Sequence, residues 1–295
     1  MEMQNLCMLC PRGCGVDRTE RIGVCSVHQK VMIARAALHF WEEPCISGEN
    51  GSGAVFFSGC PLHCVFCQNE EISHGKVGRE ITVEELAEIY LKLQSQGANN
   101  INLVTGTHYI PAIVDSVKMA RDKGLDIPII YNTSGYETVE SLKLLDGIVN
   151  AYLPDFKYWD RDLAEKYSRA PQYPDIAKAA IEEMVRQCPN LLFNEDGFIQ
   201  SGVIVRQLLL PGYVKDSKAI IRYLHEKYND RIYISLMSQY TPMPQIKDNF
   251  PELNRRVTKR EYQSVVDYAI DLGIENAFIQ DRAVAKESFI PEFDF

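Results

Sequence analysis

Three cysteines near residue 60 have the spacing of ligands for an iron–sulfur cluster. Cys60, Cys64 and Cys67 form a C-x3-C-x2-C pattern directly after the apolar run Ala54–Phe57. Thiolates at this spacing can reach three corners of one 4Fe-4S cluster from a single short loop, whereas a cluster that only transfers electrons usually has four Cys ligands. The pattern therefore leaves one iron with an open position. A zinc knuckle and buried free thiols are the alternatives, but zinc usually closes its site with a fourth ligand.

An open iron favours a bidentate ligand, such as the amino and carboxylate groups of S-adenosylmethionine. One electron from the cluster could then cleave the sulfonium and give a 5′-deoxyadenosyl radical, with the difficult chemistry carried by the cofactors. The cysteine loop follows a predicted strand, and in β/α barrels the carboxyl ends of the strands bear the catalytic groups. The motif thus predicts cofactor cleavage at a strand end.

A second group of cysteines lies close to the N-terminus. Cys7, Cys10, Cys14 and Cys25 stand among tight turns marked by glycines. Four soft thiolates suit tetrahedral zinc and a closed 4Fe-4S cluster about equally, and we slightly favour zinc or a similar structural ion. A second cofactor-cleaving cluster is less favoured, because these residues precede any predicted strand.

Other residues near this group carry weaker signals. Cys45 stands alone before the predicted barrel; it could donate a hydrogen atom or act as an extra ligand, but a buried free cysteine is the default. Arg12 and Arg18 are expected to be solvated. The aromatic and acidic run 288–295 is predicted to pack back across the open barrel.

Composition narrows the class of protein. The 295 residues carry a net charge of −9, which argues against non-specific binding to nucleic acid. No apolar run is long enough to span a membrane, and the first residues do not resemble a secretory signal, so we expect a cytoplasmic protein. Eight of the nine cysteines precede residue 68. Because disulfides are rare in the cytosol, this crowding indicates metal or cluster chemistry.

Short apolar runs alternate with amphipathic stretches from residue 54 onward. Such alternation predicts a parallel sheet with helices outside it. Six or seven strand–helix units, fewer than the eight of a closed barrel, predict an α/β fold: a partial, open (β/α)6-type barrel with an N-terminal cysteine-rich extension. The chain then divides into a metal-binding segment (residues 1–30), a connector (31–53) and the barrel (54–295). The predicted strands are Ala54–Phe57, Ile101–Val104, Ile127–Tyr131, Gly147–Leu153, Val203–Leu210, Ile232–Leu236 and Ala277–Ile279.

The cysteine motif resembles that of a known superfamily. C-x3-C-x-aromatic-C after a first strand, with Phe66 as the aromatic residue, is the signature of radical S-adenosylmethionine enzymes. The following Gln68-Asn69 and several later motifs resemble the branch related to pyruvate formate-lyase-activating enzyme, in particular a subgroup with extra N-terminal cysteines. The resemblance covers roughly residues 31–295. It implies that Phe66 lies beside the cofactor.

The resemblance also marks a departure at the end of the second strand. Members of the superfamily carry a Gly-Gly-Glu type motif there, whose acid binds the methionyl amino group. The matching stretch is Thr105, Gly106 and Thr107, followed by His108, so the acid is absent. The resemblance implies that a threonine, His108 or a backbone carbonyl does this work. An ordinary polar strand end is the alternative.

Later strand ends carry the other residues that the resemblance assigns to the cofactor. Asn132 and Ser134 match an Asp-Thr-Asn-Gly segment, Asp155 and Lys157 match Asp-Leu-Lys, and Arg206 lies in a strand that ends in Pro-Gly. Lys157 and Arg206 would meet the cofactor carboxylate, since charge-assisted hydrogen bonds to an anion are strong. The alternatives are a surface ion pair between Asp155 and Lys157, and a structural pair between Asp155 and Arg206.

The resemblance implies an enzyme that installs a glycyl radical on a partner protein, supplied with electrons by a donor such as flavodoxin or ferredoxin. A radical enzyme that modifies another protein, a peptide or a small molecule would use the same residues. An iron–sulfur electron carrier or sensor without catalysis is the alternative from another class, but it leaves the strand-end motifs without a purpose. We expect no nucleic-acid or membrane partner.

Overall fold

The computed structural model describes residues 6–280, in which one mixed sheet dominates. Ten strands form it: β1 (Val31–His39), β2 (Ser52–Phe57), β3 (Arg79–Ile81), β4 (Ile101–Val104), β5 (Ile129–Thr133), β6 (Ala151–Pro154), β7 (Leu192–Phe193), β8 (Ile199–Leu208), β9 (Tyr233–Met237) and β10 (Ala277–Ile279). Nine α-helices accompany them within the same residues: α1 (Pro44–Ser47), α2 (Glu70–Ser73), α3 (Val83–Ser95), α4 (Ile110–Asp122), α5 (Val139–Lys143), α6 (Arg161–Ser168), α7 (Tyr173–Gln187), α8 (Val214–Tyr228) and α9 (Lys259–Asp271).

Two of the long helices begin at capping boxes that the sequence provides. Thr82 and Glu85 form a reciprocal capping box at the start of α3, and Thr258 and Glu261 do the same for α9. Each box satisfies backbone N–H groups that the first helical turn leaves without partners. These helices cover the outer face of the sheet.

The sheet runs in the order β10-β9-β8-β6-β5-β4-β2-β1-β3, with β7 paired to β8. Strands β2, β4, β5, β6, β8, β9 and β10 are parallel to their neighbours in this series. They correspond to the seven predicted strands. Since the order ends at β10 on one side and β3 on the other, the sheet stays open, and the predicted partial α/β barrel is confirmed.

The predicted connector, residues 31–53, contributes two elements to this fold. Strand β1 pairs antiparallel with β2, and α1 closes the amino ends of the parallel strands. Asn99 and Asn100, just before β4, donate hydrogen bonds to the carbonyls of Ser47 and Ile46 at 2.7 and 2.8 Å. Buried Cys45 and Ile46 pack against apolar residues near the strand starts: Ile130, Ala151, Ile199 and Ile204. Helix α1 therefore forms the floor of the barrel.

The cysteine-rich N-terminal segment packs against the loop that carries Cys60, Cys64 and Cys67. Arg12 donates to the carbonyls of Pro61 and Ser168, each at 2.7 Å. Arg18 is 4% exposed and donates to the carbonyls of His28 and His108. The expectation that both arginines are solvated is wrong, because Arg18 is buried, Arg12 is half-buried, and both guanidinium groups donate hydrogen bonds to backbone carbonyls.

Gly59, just before Cys60, lies close against this segment. Its φ is +88°, and a Cβ atom there would lie 2.6 Å from the Cys25 carbonyl oxygen. Gly59→Ala is therefore expected to lower the free energy of unfolding by roughly 2 kcal/mol or more, from backbone strain and steric overlap together. Urea unfolding monitored by circular dichroism measures the loss.

Gly97 offers the matched control, with φ +90° and nothing within 4 Å of an added Cβ atom. Gly97→Ala measures the backbone strain alone, so Gly59→Ala should cost clearly more. Equal losses would show that the contact with Cys25 contributes nothing.

No helix within residues 6–280 is long and apolar enough to cross a membrane. The run 288–295, predicted to cover the barrel, lies outside the described residues.

Candidate active site

A cavity of about 580 Å³ fills the inside of the open barrel. Inward-facing side chains of the strands form its walls, residues 39–44 form its base, and the cysteine loop lies at its rim. Alternate residues of each strand face inward, which brings polar groups of several strands into one layer. The polar residues of this layer that line the cavity are Asn132, Asp155, Arg206 and Ser235.

Two of the three cysteines of the loop line this cavity. Cys64 and Cys67 line it, and Ser168 Oγ donates a hydrogen bond to Cys64 Sγ at 3.1 Å. Burial raises the pKa of Cys60 to about 11 and that of Cys67 to about 12; negative charge on Cys64 adds to both shifts, whereas Lys157 opposes them. The three thiols are thus close enough to influence one another. Three cysteines on one loop beside a cation are a donor set that fits a 4Fe-4S cluster with one open iron.

Phe66 holds the loop in an aromatic setting. It is 7% exposed, lines the cavity, and makes edge-to-face contacts with the rings of Tyr158, Tyr167 and Tyr240. Such contacts fix the ring and exclude water from this side of the loop.

Asp155 joins the two cations of the cavity wall. Lys157 Nζ lies 2.6 Å and Arg206 Nε 2.8 Å from its carboxylate oxygens. The two cations hold the pKa of Asp155 below its ordinary value although burial opposes them. Both ion pairs that the sequence analysis gave as alternatives to cofactor contacts are therefore present, and they lie in the barrel wall rather than on the surface. Arg206 also donates to Asn132 Oδ1 at 2.6 Å.

Two glutamates rise from the floor into the same layer. Glu42 Oε2 lies 3.2 Å from Arg206, and its Oε1 accepts from Asn102 and Asn132, each at 3.2 Å. Burial raises the pKa of Glu42, and Arg206 opposes that rise. Glu43 is 8% exposed, and its Oε2 has no hydrogen-bond partner within residues 6–280.

The sequence analysis did not assign either glutamate to the site. Only the pair of acids in Glu42-Glu43-Pro44, directly before a short helix, could have signalled them.

The Thr-Gly-Thr stretch lies outside the part of the wall that surrounds the cavity. Thr105, Gly106, Thr107 and Ser134 are not among the described residues that line it. Thr107 donates to Glu137 Oε1 at 2.7 Å. His108 Nε2 faces the Ser58 carbonyl at 2.7 Å, so neither side chain is directed at the cavity in this structure.

Glu137 is a second buried acid that the sequence analysis did not identify. Its Oε1 accepts hydrogen bonds from Thr107, Tyr131 and Thr133. Burial raises its pKa to about 7, against the lowering effect of these hydrogen bonds. Because the ordinary value is 4.5, the folded protein holds a proton that the unfolded chain releases between about pH 4.5 and 7.

Folding stability should therefore fall as the pH rises through this window and level off above it. Glu137→Gln keeps the site neutral at every pH, so the variant should gain about 3 kcal/mol relative to the parent between pH 4.5 and 7.5. Urea unfolding of both proteins across that range measures the difference. A difference that does not change with pH would contradict the assignment.

The four N-terminal cysteines lie near one another. Cys10 and Cys25 are buried, and Cys7 and Cys14 are half-buried. Burial raises the pKa of Cys10 to about 12, with smaller contributions from Cys25 and Cys7. No three His, Cys, Asp or Glu side chains between residues 6 and 280 are close enough to hold a single metal ion in this structure. Zinc or a second cluster at these cysteines therefore stays a prediction.

Known proteins resemble this chain in sequence and fold. The model of the Radical SAM superfamily matches residues 54–224. An uncharacterised protein of Methanocaldococcus jannaschii is 29% identical over 270 residues, which cover 89% of this chain and 74% of that protein. The pyruvate formate-lyase-activating enzyme of Clostridium pasteurianum is 25% identical over 122 residues, 40% of this chain and 50% of that enzyme.

A solved structure shows the same fold. A radical SAM methyltransferase from Sphaerobacter thermophilus superposes with a TM-score of 0.52 at 17% identity, over 78% of this chain and 66% of the methyltransferase. At that identity the likeness concerns the fold alone. The superfamily match, by contrast, spans more than half of the chain and includes the cysteine loop and strands β4, β5, β6 and β8. The chain belongs to the Radical SAM superfamily.

Proposed function

We propose that this protein cleaves S-adenosylmethionine reductively and passes the resulting radical to a substrate inside the barrel. The observation that carries this proposal is the position of Cys64 and Cys67 at the rim of a cavity that also contains Lys157. A reduced 4Fe-4S cluster on Cys60, Cys64 and Cys67 would supply the electron that breaks a carbon–sulfur bond of S-adenosylmethionine, giving methionine and a 5′-deoxyadenosyl radical. That radical would take a hydrogen atom from the substrate.

The cavity has the charges that a cationic cofactor with a carboxylate arm requires. Lys157 is bonded to Asp155, and it is the proposed contact for that carboxylate. Arg206 is already engaged by Asp155, Glu42 and Asn132. Its proposed part is therefore to hold the wall in place and to add positive charge.

We further propose that the substrate is a glycine residue of a partner protein, so that the chain acts as an activating enzyme for a glycyl radical enzyme. Similarity to the Clostridium pasteurianum enzyme supports this reading. The open sheet leaves a route by which a peptide loop could enter. A flavodoxin or ferredoxin would deliver the electron.

A second candidate is the modification of another protein, a peptide or a small molecule. The absence of an acid at Thr105–Thr107, together with the two glutamates that rise from the floor, favours this reading.

The N-terminal segment would hold zinc or a second cluster against the cysteine loop, where Cys60 N donates to the Cys25 carbonyl at 3.1 Å.

Anaerobic reconstitution tests the proposal directly. The protein, loaded with iron and sulfide and reduced with dithionite, should convert S-adenosylmethionine to 5′-deoxyadenosine and methionine. If the cluster is present by its absorbance and iron content but 5′-deoxyadenosine does not form, both candidates fail. Incubation with a glycyl radical enzyme encoded nearby, followed by electron paramagnetic resonance, separates them: only an activating enzyme produces the glycyl radical signal.

A further inference from the structure

The floor of the cavity carries more carboxyl groups than its surroundings supply with cations. Asp155 forms ion pairs with both Lys157 and Arg206, and Glu42 forms an ion pair with Arg206. Within the described residues that line the cavity, three acidic side chains thus face the side chains of one lysine and one arginine. The third carboxylate belongs to Glu43.

Glu43 is placed to receive a ligand. Its side chain lines the cavity and is more than nine-tenths buried, and Oε2 has no hydrogen-bond donor in the described part of the chain. Burial raises the pKa of Glu43, and Arg206, acting through space, and a hydrogen bond from Ser235 oppose that rise. An unpartnered buried carboxylate is costly unless a cation or donor completes it, and the open side of this group is the cavity.

The floor also lies at a different depth from the rim. Glu42 bonds to Asn102, which pairs with Ala54 in the sheet, whereas the cysteine loop begins beyond Phe57. Glu42 also bonds to Asn132, which is level with Phe56 through Val104. At a rise of about 3.3 Å per residue, its two partners therefore lie roughly 3 and 10 Å before the end of β2. Glu43, the next residue, belongs to this floor, whereas the cysteines belong to the rim.

We propose that Glu43, supported by Glu42, binds a cationic nitrogen of the substrate. The substrate class is then a molecule with a primary ammonium or guanidinium group, such as an amine or the side chain of a lysine or arginine. Such a group donates the hydrogen bonds that Glu43 Oε2 lacks, and its positive charge favours the ionised form of the carboxyl group. This inference rests on the proposed function, because it treats the cavity as a substrate site.

The test uses the reconstituted, oxidised holoprotein with n-butylammonium as the probe and n-butanol as its uncharged counterpart. Saturation-transfer nuclear magnetic resonance titrations give both dissociation constants. The parent should bind n-butylammonium roughly tenfold or more tightly than n-butanol, because only the ammonium group can form a charge-assisted hydrogen bond with the buried Glu43. Glu43→Gln should remove that preference. Glu140→Gln, an exposed substitution on α5, should preserve it.

Equal affinities of the parent for the two probes would overturn the proposal, and this comparison needs no variant. A titration with S-adenosylmethionine separates the two sources of a cationic nitrogen. If Glu43→Gln weakens S-adenosylmethionine but not n-butylammonium, the floor holds the amino group of the cofactor, and the proposal is wrong. The binding titrations involve no reduction of the cluster. If the protein binds n-butylammonium selectively but forms no 5′-deoxyadenosine in the reconstitution assay, only the proposed function is refuted.

Discussion

Cys64→Ala is expected to abolish both the cluster and the formation of 5′-deoxyadenosine. Cys64 lies between the other two cysteines of the loop, is 9% exposed, and accepts a hydrogen bond from Ser168. Its loss would leave two thiolates, which cannot occupy three corners of a 4Fe-4S cluster. Iron and sulfide content, the electron paramagnetic resonance signal after dithionite reduction, and chromatography of the nucleoside product measure the effect.

Cys188→Ala is the matched control. Cys188 is also a buried cysteine, at 4% exposure, but it lies after α7 and its thiol contacts the Asn150 carbonyl instead of the cavity. The control should keep a full cluster and normal product formation. A Cys64→Ala protein that retained the cluster would refute the assignment of ligands.

Arg206→Leu is expected to lower the free energy of unfolding by about 3–5 kcal/mol, as does breaking other buried ion pairs by removing one partner. The change removes the guanidinium group that donates hydrogen bonds to Asp155, Glu42 and Asn132. The two carboxylates would then remain buried with one cation, Lys157, near Asp155. Urea unfolding under anaerobic conditions measures the loss.

Arg161→Ala is the control for charge pairing at the surface. Arg161 pairs with Asp175, and the two side chains are 61% and 53% exposed. Solvent screens such pairs, so the variant should lose at most about 1 kcal/mol. Similar losses in the two variants would show that the pairing of Arg206 inside the barrel stabilises the fold no more than a surface contact.

The N-terminal segment illustrates how tertiary contacts change the meaning of a residue. Arg12 and Arg18 look like solvated charges among cysteines, because the chain around them is polar and rich in turns. Their acceptors, the carbonyls of Ser168 and His108, lie 156 and 90 residues away in sequence. No local pattern reveals such a partner.

The sequence by itself determined the strands, the main helices and the cysteine motif. These features can be recognised within short stretches of sequence. They are apolar runs of strand length, capping residues such as Thr82, and the spacing of Cys60, Cys64 and Cys67. Parallel strands with helices between them then required an α/β sheet. The inward position of Arg206 was also predictable, because a charge within an apolar strand needs a partner.

Only the tertiary structure decided which residues surround the cavity. Thr105 and Thr107 occupy the strand end where an acid was expected, yet Thr107 is bonded to Glu137 outside the cavity. The acids that do enter it, Glu42 and Glu43, come from a segment that precedes the first parallel strand. Their place depends on the antiparallel return of β1 and on α1 docking under the strands. Contacts of this kind arise from the packing of distant segments, which local periodicity and spacing do not encode.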